Sequence, residues 1–299
     1  MNNKLISYIK AIIKNTSNPL ELFMYYINIK KEVICKLKYN MGQFTLNQDN
    51  KYLLGRNVMA LDHLIKNKDE KKIVIFKNLI KSLNEEYAVI DGVKFHNDLY
   101  SGVFWEYFLE YPYLNVDLNN RTVIDVGANL GDSTLFMANE NATVYAFEPV
   151  PSTFKLAKKN IELNPDLKDK IQIYNYAISG SDGTIDIFIE SLEKNTTANS
   201  FIENGEKIEV KSFSIDTILK KYSIKPDILK MDCEGAEYSI IENSDLSMFN
   251  TIIMEYHQKF VGISYKVLVE KLEKMGFNVI IEENSEFKKD EIGFIIAKK

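Results

Sequence analysis

Arg121-Thr-Val-Ile-Asp-Val-Gly-Ala-Asn-Leu-Gly-Asp-Ser133 is the stretch that decides the fold. Thr122 to Val126 is a β-branched run with Asp125 near its carboxyl end, and the chain then needs two close turns, at Gly127 and Gly131, before a helix begins. Glycine suits both turns because it has no Cβ to obstruct unusual backbone angles or the close approach of a ligand. Strand, glycine turn and helix in this order form the cofactor loop of a nucleotide-binding α/β domain.

The spacing of the loop decides which cofactor it suits. A dinucleotide fingerprint, Gly-x-Gly-x-x-Gly starting at Gly127, would put glycines where Asn129 and Asp132 stand, so it fails twice. The pattern Asp125-x-Gly127-x-Asn129-x-Gly131 instead resembles motif I of the Rossmann-like methyltransferases that use S-adenosylmethionine (SAM). Further along, Thr143-Val-Tyr-Ala-Phe-Glu148-Pro149 reads as a second strand with a carboxylate at its carboxyl end, able to accept both hydroxyls of a ribose. Dehydrogenases that use NAD place an acid similarly, so the glycine spacing, not Glu148, discriminates.

From Thr122 the elements alternate strand and helix, which predicts a mostly parallel sheet with helices on both faces. Helices are expected over Asp132 to Asn139 and Pro151 to Asn164, and a third strand over Ile171 to Ile178, with Ala177 and Ile178 where this fold passes the adenine. Thr184 to Ile189 and Lys207 to Phe213 read as an inserted antiparallel pair around a polar loop from Asn195 to Asn204. The sheet resumes with Asp227 to Met231, Thr251 to Tyr256, Asn278 to Glu283 and Gly293 to Ala297. The last two have no helix between them, so the final strand is expected to run antiparallel, as in SAM methyltransferases.

Residues 1–115 carry no glycine-loop chemistry and read as an accessory region of helices and short strands, an acceptor lid or an oligomerisation element. Leu5 to Ile13 has helical apolar spacing, and Asn18-Pro19-Leu-Glu21 looks like a cap, a first-turn proline and an acid opening a helix to about Lys31. Val33 to Leu37 and Gln43 to Leu46 suggest a hairpin, Val58 to Lys66 and Lys72 to Leu83 suggest helices, and Asp91-Gly92 suggests a tight turn between strands. The aromatic run from Tyr100 through Phe104, Trp105, Tyr107 and Phe108 to Tyr113 reads first as packing and second as a wall for an acceptor.

Composition is that of an ordinary globular chain, 45% hydrophobic and 26% charged over 299 residues, enough for one large or two ordinary domains. With 37 Lys and Arg against 42 Asp and Glu, the net charge of -5 offers no global footprint for nucleic acid. Cys35 and Cys233 lack metal-like spacing and fit a reducing compartment, and no apolar run is long enough to span a bilayer or make a signal peptide, so a cytoplasmic location is expected.

A second chemical cluster follows the fourth strand, in Lys230-Met-Asp232-Cys-Glu234-Gly235-Ala-Glu237. Ligands of open α/β sheets lie outside the carboxyl ends of the strands, so Asp232 and Glu234 should face the same cleft as Asp125. One strand further on, Glu255 and His257 share a face at the equivalent edge because side chains alternate along a strand. Val123-Ile-Asp-Val-Gly-Ala-Asn-x-Gly-Asp, Phe147-Glu-Pro-x-Pro, Ser214-Ile-Asp-Thr and Leu229-Lys-Met-Asp-Cys-Glu-Gly-Ala-Glu, in that order, resemble the FkbM-type methyltransferases over residues 116–299.

That resemblance implies a class I methyltransferase sheet and SAM-dependent O-methylation of a hydroxyl on a sugar, glycolipid, polysaccharide or related secondary metabolite. It implies that Asp125, Gly127, Ala128, Asn129 and Gly131, with Ser133 following, hold the methionine part of SAM. Glu148, with Pro149, would hold the ribose, and Ala177 and Ile178 the adenine. Asp232 would bind the cofactor amino group or the acceptor hydroxyl, with Glu234 and His257 in the acceptor pocket. Two bases are open: His257 by its ordinary pKa near ~6.5, and Asp232 by its place in the family pattern. Asp232, Glu234, Glu237, Glu255 and His257 have the chemistry of a Mg or Mn site, but no tight ligand spacing marks them and Glu237 reads as a helix-surface residue, so no metal is expected. A non-catalytic SAM-binding scaffold and an NAD-dependent oxidoreductase are the alternatives. The expected partner is a small-molecule or glycoconjugate acceptor, with homo-oligomerisation left open.

Overall fold

The computed structural model describes residues 3–27, 29–47, 53–83, 85–96, 107–108, 116–189, 199–200, 206–283 and 290–299. The chain forms two compact units, Met1–Tyr111 and Pro112–Lys299.

In the first unit α1 (Asn3–Asn15) and α2 (Pro19–Tyr26) precede a hairpin of β1 (Val33–Lys36) and β2 (Gln43–Leu46), then α3 (Leu53–Asn67), α4 (Glu70–Ser82) and a second hairpin of β3 (Tyr87–Ile90) and β4 (Val93–His96). Both hairpins are antiparallel, and the second turns at Asp91-Gly92, where both residues have positive φ. Helix α2 ends well short of Lys31 because Ile29 and Lys30 both turn their N–H groups back to the Met24 carbonyl. Asn18 precedes that helix without capping it; its side chain instead bridges to β1, donating to the Ile34 carbonyl and accepting from the Lys36 N–H. Of the aromatic run, Tyr107 and Phe108 are buried. Tyr107 donates to Asp91 Oδ2 at 2.8 Å and Phe108 packs edge-on against Phe76, as packing residues do. Residues 97–106 and 109–115 lie outside the described residues.

The second unit is built on a seven-stranded sheet in the order β14-β15-β13-β12-β5-β6-β7. Its strands are β5 (Thr122–Val126), β6 (Thr143–Phe147), β7 (Ile171–Tyr174), β12 (Ile228–Met231), β13 (Thr251–Tyr256), β14 (Asn278–Glu283) and β15 (Gly293–Lys298). Pairings from β7 across to β13 are parallel, while β15 runs antiparallel to both neighbours. This is the Rossmann-like methyltransferase sheet with its final strand inserted antiparallel. Helices α5 (Asp132–Asn139), α6 (Pro151–Glu162), α7 (Ile215–Tyr222), α8 (Ala236–Asn243), α9 (Gln258–Val261) and α10 (Lys266–Lys274) connect the strands. Ile124, Val126, Leu229, Met231, Ile252 and Met254 form a continuous core with Ile240, Ile241, Leu268 and Leu272 of the helices. Strands covered on both faces read as unbroken apolar runs for that reason.

The third strand is shorter than its sequence suggests. The chain leaves the sheet at Asn175, whose side-chain amide is held by the carbonyls of Glu148 and Pro149, both at 2.9 Å. Ala177–Ile178 then forms β8 of a second sheet, parallel to the end of β11 (Glu206–Phe213). The inserted antiparallel pair is β9 (Gly183–Ile189) with β11, and Asn199–Ser200 adds a short β10 to β9 inside the segment expected to be loop. Residues 190–198 and 201–205 lie outside the described residues.

Candidate active site

The loop after β5 alternates its backbone. Gly127, Asn129 and Gly131 have φ of 81, 47 and 78°, so every second residue lies in the left-handed region. Asparagine is among the few side chains that tolerate it, which is why Asn129 can stand where a dinucleotide loop has glycine. A Cβ on Gly127 would lie 1.8 Å from the Asp232 carbonyl oxygen, so this position admits only glycine and brings the β5 and β12 loops into contact.

Beneath the loop lies a buried ion pair. Lys230 Nζ stands 3.0 Å from Asp125 Oδ1 and donates to the Gly127 carbonyl at 3.0 Å. Asp125 Oδ2 accepts from the hydroxyls of Ser133 at 2.8 Å and Thr134 at 2.6 Å. Burial works against the Lys230 charge, but Asp125, with Asp232 adding, overrides it and holds the ammonium above its ordinary pKa. Asp125, Ala128 and Ser133 are fully or almost fully buried and, like Gly131, do not line the cleft: they build its floor. Lys230 was missed in the sequence, although a lysine inside an otherwise apolar buried strand is itself a signal, since such a charge must be paired.

The cleft above has an empty volume of about 660 Å³ with its open mouth included. Gly127, Asn129, Glu148, Pro149, Ala177 and Ile178 line one part, and Asp232 and Glu234 another, so eight of the expected site residues converge there. Val126, Phe147, Val150, Ile187, Cys233 and Ala236 complete an apolar wall. Glu148 Oε2 accepts the Asn129 N–H and Oε1 the Val150 N–H, both at 2.9 Å, which fixes its carboxyl plane. Burial raises its pKa to about 7, against the pull of those two donors and of Lys230.

The second cluster turns on Glu237, which is fully buried and not on a helix surface. Its Oε1 accepts from the Cys233 N–H at 3.0 Å and faces His257 Nδ1 at 3.0 Å, and its Oε2 accepts from the Gly235 N–H at 2.8 Å. One carboxylate thus satisfies two orphan donors at the start of α8 and the histidine, which offsets the cost of burying it. These partners hold Glu237 below the usual carboxylate range in spite of its burial. They also hold the turn in which Glu234, at φ 54°, and Gly235, at φ 114°, both adopt left-handed backbone.

His257 follows β13 and is 2% exposed. Its Nε2 stands 3.5 Å from Glu234 Oε2, 3.7 Å from Glu255 Oε2 and 3.9 Å from Asp232 Oδ1. Burial disfavours a charged ring, but Glu237, Glu234 and Glu255 more than compensate, and its pKa is well above the ordinary histidine value. With Glu237 on Nδ1 and its pKa raised, His257 is less suited to act as a base than its ordinary pKa suggests. Glu234 has its pKa raised by burial, against His257, with Asp232 and Glu237 adding.

Glu234 and Ala236 also line a second cavity of about 1010 Å³, mouth included, with Ser179, Gly180, Ser181, Ser239, Asn243 and Phe260 among its walls. A two-chamber site, one apolar and glycine-framed, one rich in hydroxyls, with a carboxyl between them, suits group transfer between two ligands.

The methyltransferase FkbM domain model matches residues 125–279, just over half of the chain. The chain belongs to the FkbM methyltransferase family. Among curated proteins it is 24% identical to methyltransferase sdnD of Sordaria araneosa over 235 residues, 66% of this chain and 89% of that protein. It is 26% identical to the hexuronic acid methyltransferase AglP of Haloferax volcanii over 178 residues, 58% of this chain and 69% of that protein. The solved methyltransferase FkbM of Methylobacillus flagellatus KT superposes with a TM-score of 0.45 at 12% identity, covering 81% of this chain and 59% of that one. As an FkbM methyltransferase the chain is an enzyme, so the scaffold and oxidoreductase alternatives give way.

Proposed function

We propose that this FkbM methyltransferase uses S-adenosylmethionine to methylate a hydroxyl of a carbohydrate or glycoconjugate. The observation that carries this reading is Glu234, a proton acceptor held between the glycine-framed cleft and the hydroxyl-rich one.

The residues of the first cleft fit the cofactor. Each Glu148 oxygen uses one lone pair on a backbone N–H and keeps another for a ribose hydroxyl. Asn129 Oδ1 is a buried acceptor without a hydrogen-bond partner among the described residues, suited to an ammonium or hydroxyl of the ligand. Gly127 lets the loop backbone approach closely, and Ala177, Ile178 and Ile187 offer an apolar slot for a purine. When bound, S-adenosylmethionine supplies an electrophilic methyl group on a sulfonium.

The protein's own part is to align the acceptor and take its proton. Ser179, Ser181, Ser239 and Asn243 offer hydrogen-bonding groups to a polyol, and Phe260 an aromatic face. Glu234, which lines both cavities, would accept the proton of the acceptor hydroxyl as that oxygen becomes the nucleophile. Its raised pKa matches it to this task near neutral pH. Asp232 lines the cleft that would hold the cofactor, and His257, held by Glu237, stands beside both acids. The name of AglP, a hexuronic acid methyltransferase, favours a sugar acid as acceptor. Both cysteines are free, which favours a reducing, cytoplasmic setting. Among the described residues no helix is long and apolar enough to cross a membrane.

The test is transfer from methyl-¹³C SAM to a panel of uronic acids, neutral glycans and amines, read by NMR of the product. An O-methyl signal on a sugar, lost in Glu234→Gln with cofactor binding retained, is expected; transfer only to nitrogen would overturn the reading.

A further inference from the structure

Helix α2 carries apolar side chains on both of its faces. Of its eight residues, Pro19-Leu-Glu-Leu-Phe-Met-Tyr-Tyr26, Glu21 alone is charged. Leu22 and Tyr25 are fully buried, whereas Leu20, Phe23 and Ile27, the residue that caps the helix, are 71, 50 and 46% exposed. Residues three, four and seven apart share one side of a helix, so these three form a single outward stripe. Ile29 extends it at 68% exposure, turned back to the helix end because its N–H donates to the Met24 carbonyl at 2.9 Å. A surface helix ordinarily gives this side to charged and polar residues, and while single exposed apolar side chains are common, a contiguous stripe marks a contact surface.

The charge of this part of the chain is opposite in sign to that of the whole. Residues 1–40 hold seven lysines against two glutamates, although the chain has a net charge of -5. Exposed Lys31 follows the helix, and exposed Lys36 lies on β1, the strand to which the start of α2 is tied: Asn18 donates to the Ile34 carbonyl at 2.8 Å and accepts from the Lys36 N–H at 3.1 Å. Glu21 takes up Lys30 at 3.3 Å and Asp62 takes up Lys14, and the balance stays positive.

We propose that the first unit docks on an anionic phospholipid bilayer through this stripe, with Leu20, Phe23, Ile27 and Ile29 entering the interface and the lysines beside them held at the headgroups. Bulky apolar residues with lysines at their margin are the composition of helices that lie in the plane of a membrane surface, where burial of the apolar side chains and attraction to anionic lipid act together. Eight helical residues rise about 12 Å, far short of the ~30 Å of a hydrocarbon core, so the contact is peripheral. A second copy of the chain suits the surface less well, since a two-fold contact sets the same lysines against each other. The docking is independent of the methyl-transfer chemistry, and its failure leaves that reading standing.

The experiment mixes the full-length protein with sedimentable vesicles, of phosphatidylcholine alone or with an equal part of phosphatidylglycerol, and follows the bound fraction against lipid and salt. Thermal melts of each variant check that it stays folded, which substitutions at exposed positions should allow. The expected result is binding to the anionic vesicles about tenfold or more tighter than to the neutral ones and weakened by salt. It should fall by about tenfold in Leu20→Gln/Phe23→Gln and in Lys31→Gln/Lys36→Gln, with unchanged melts. No binding of the wild type to anionic vesicles, or undiminished binding by both variants, overturns the proposal. A wild-type dimer in light scattering that Leu20→Gln/Phe23→Gln converts to monomer assigns the stripe to a second copy and overturns it as well.

Discussion

Replacing Gly127 by alanine should disrupt the contact on which the cofactor cleft is built. The new Cβ would stand 1.8 Å from the Asp232 carbonyl oxygen and 2.8 Å from its carbon, whereas relaxed C···O contacts lie at about 3.3 Å or more. The β5 and β12 loops would have to part by about 1.5 Å, an overpacking cost of about 1–3 kcal/mol. The residue must also keep φ at 81°, a further cost of about 1–2 kcal/mol for any side chain. Gly276→Ala is the control, since Gly276 has φ of 89° and nothing within 4 Å of its would-be Cβ, so it carries the backbone cost alone. Urea unfolding should therefore place Gly127→Ala below Gly276→Ala by about 1–3 kcal/mol. SAM titration should show at least a tenfold loss of affinity in the first variant and none in the second. Equal destabilisation with unchanged SAM binding in both would refute the claim that this contact shapes the cleft.

Removing Lys230 as Lys230→Met should cost about 3–5 kcal/mol because it strands the Asp125 charge, and adding Asp125→Asn should recover part of that loss in a double-mutant cycle. Glu148 gives a pH signature. Its pKa rises from an ordinary 4.5 to about 7 on folding, so its contribution to stability is fully present below pH 4.5 and is lost as pH rises to 7, by up to about 3 kcal/mol. The wild type should lose stability relative to Glu148→Gln over that window in urea melts at several pH values, and a pH-independent difference would refute the assignment. SAM affinity should rise over the same window as the carboxylate forms. Glu237→Ala should cost about 2–4 kcal/mol, since it leaves two backbone N–H groups and the His257 ring without their acceptor; thermal melts compared with Glu237→Gln check this.

Much of the fold was legible because parallel strands buried on both faces leave unbroken apolar runs, and Thr122–Val126 and Ile228–Met231 each end in an acid and a turn. Gly127, Asn129 and Gly131 declared themselves through backbone need, since all three take positive φ. What stayed hidden depends on long-range partners. Nothing local to Asn175 says that its amide will reach the Glu148 and Pro149 carbonyls and end the third strand early. Glu237 looks like any first-turn helix acid until His257, twenty positions on, is brought to its side. The base is hidden for the same reason: His257 has the right ordinary pKa in isolation, but Glu237, Glu234 and Glu255 around it push that pKa up.

The most direct test of the account is calorimetric titration of the purified chain with SAM and, separately, NADH. The account predicts one SAM per chain, no NADH, and a large loss of SAM affinity in Glu148→Ala. A folded protein that binds no SAM, or that binds NADH equally well, would contradict it.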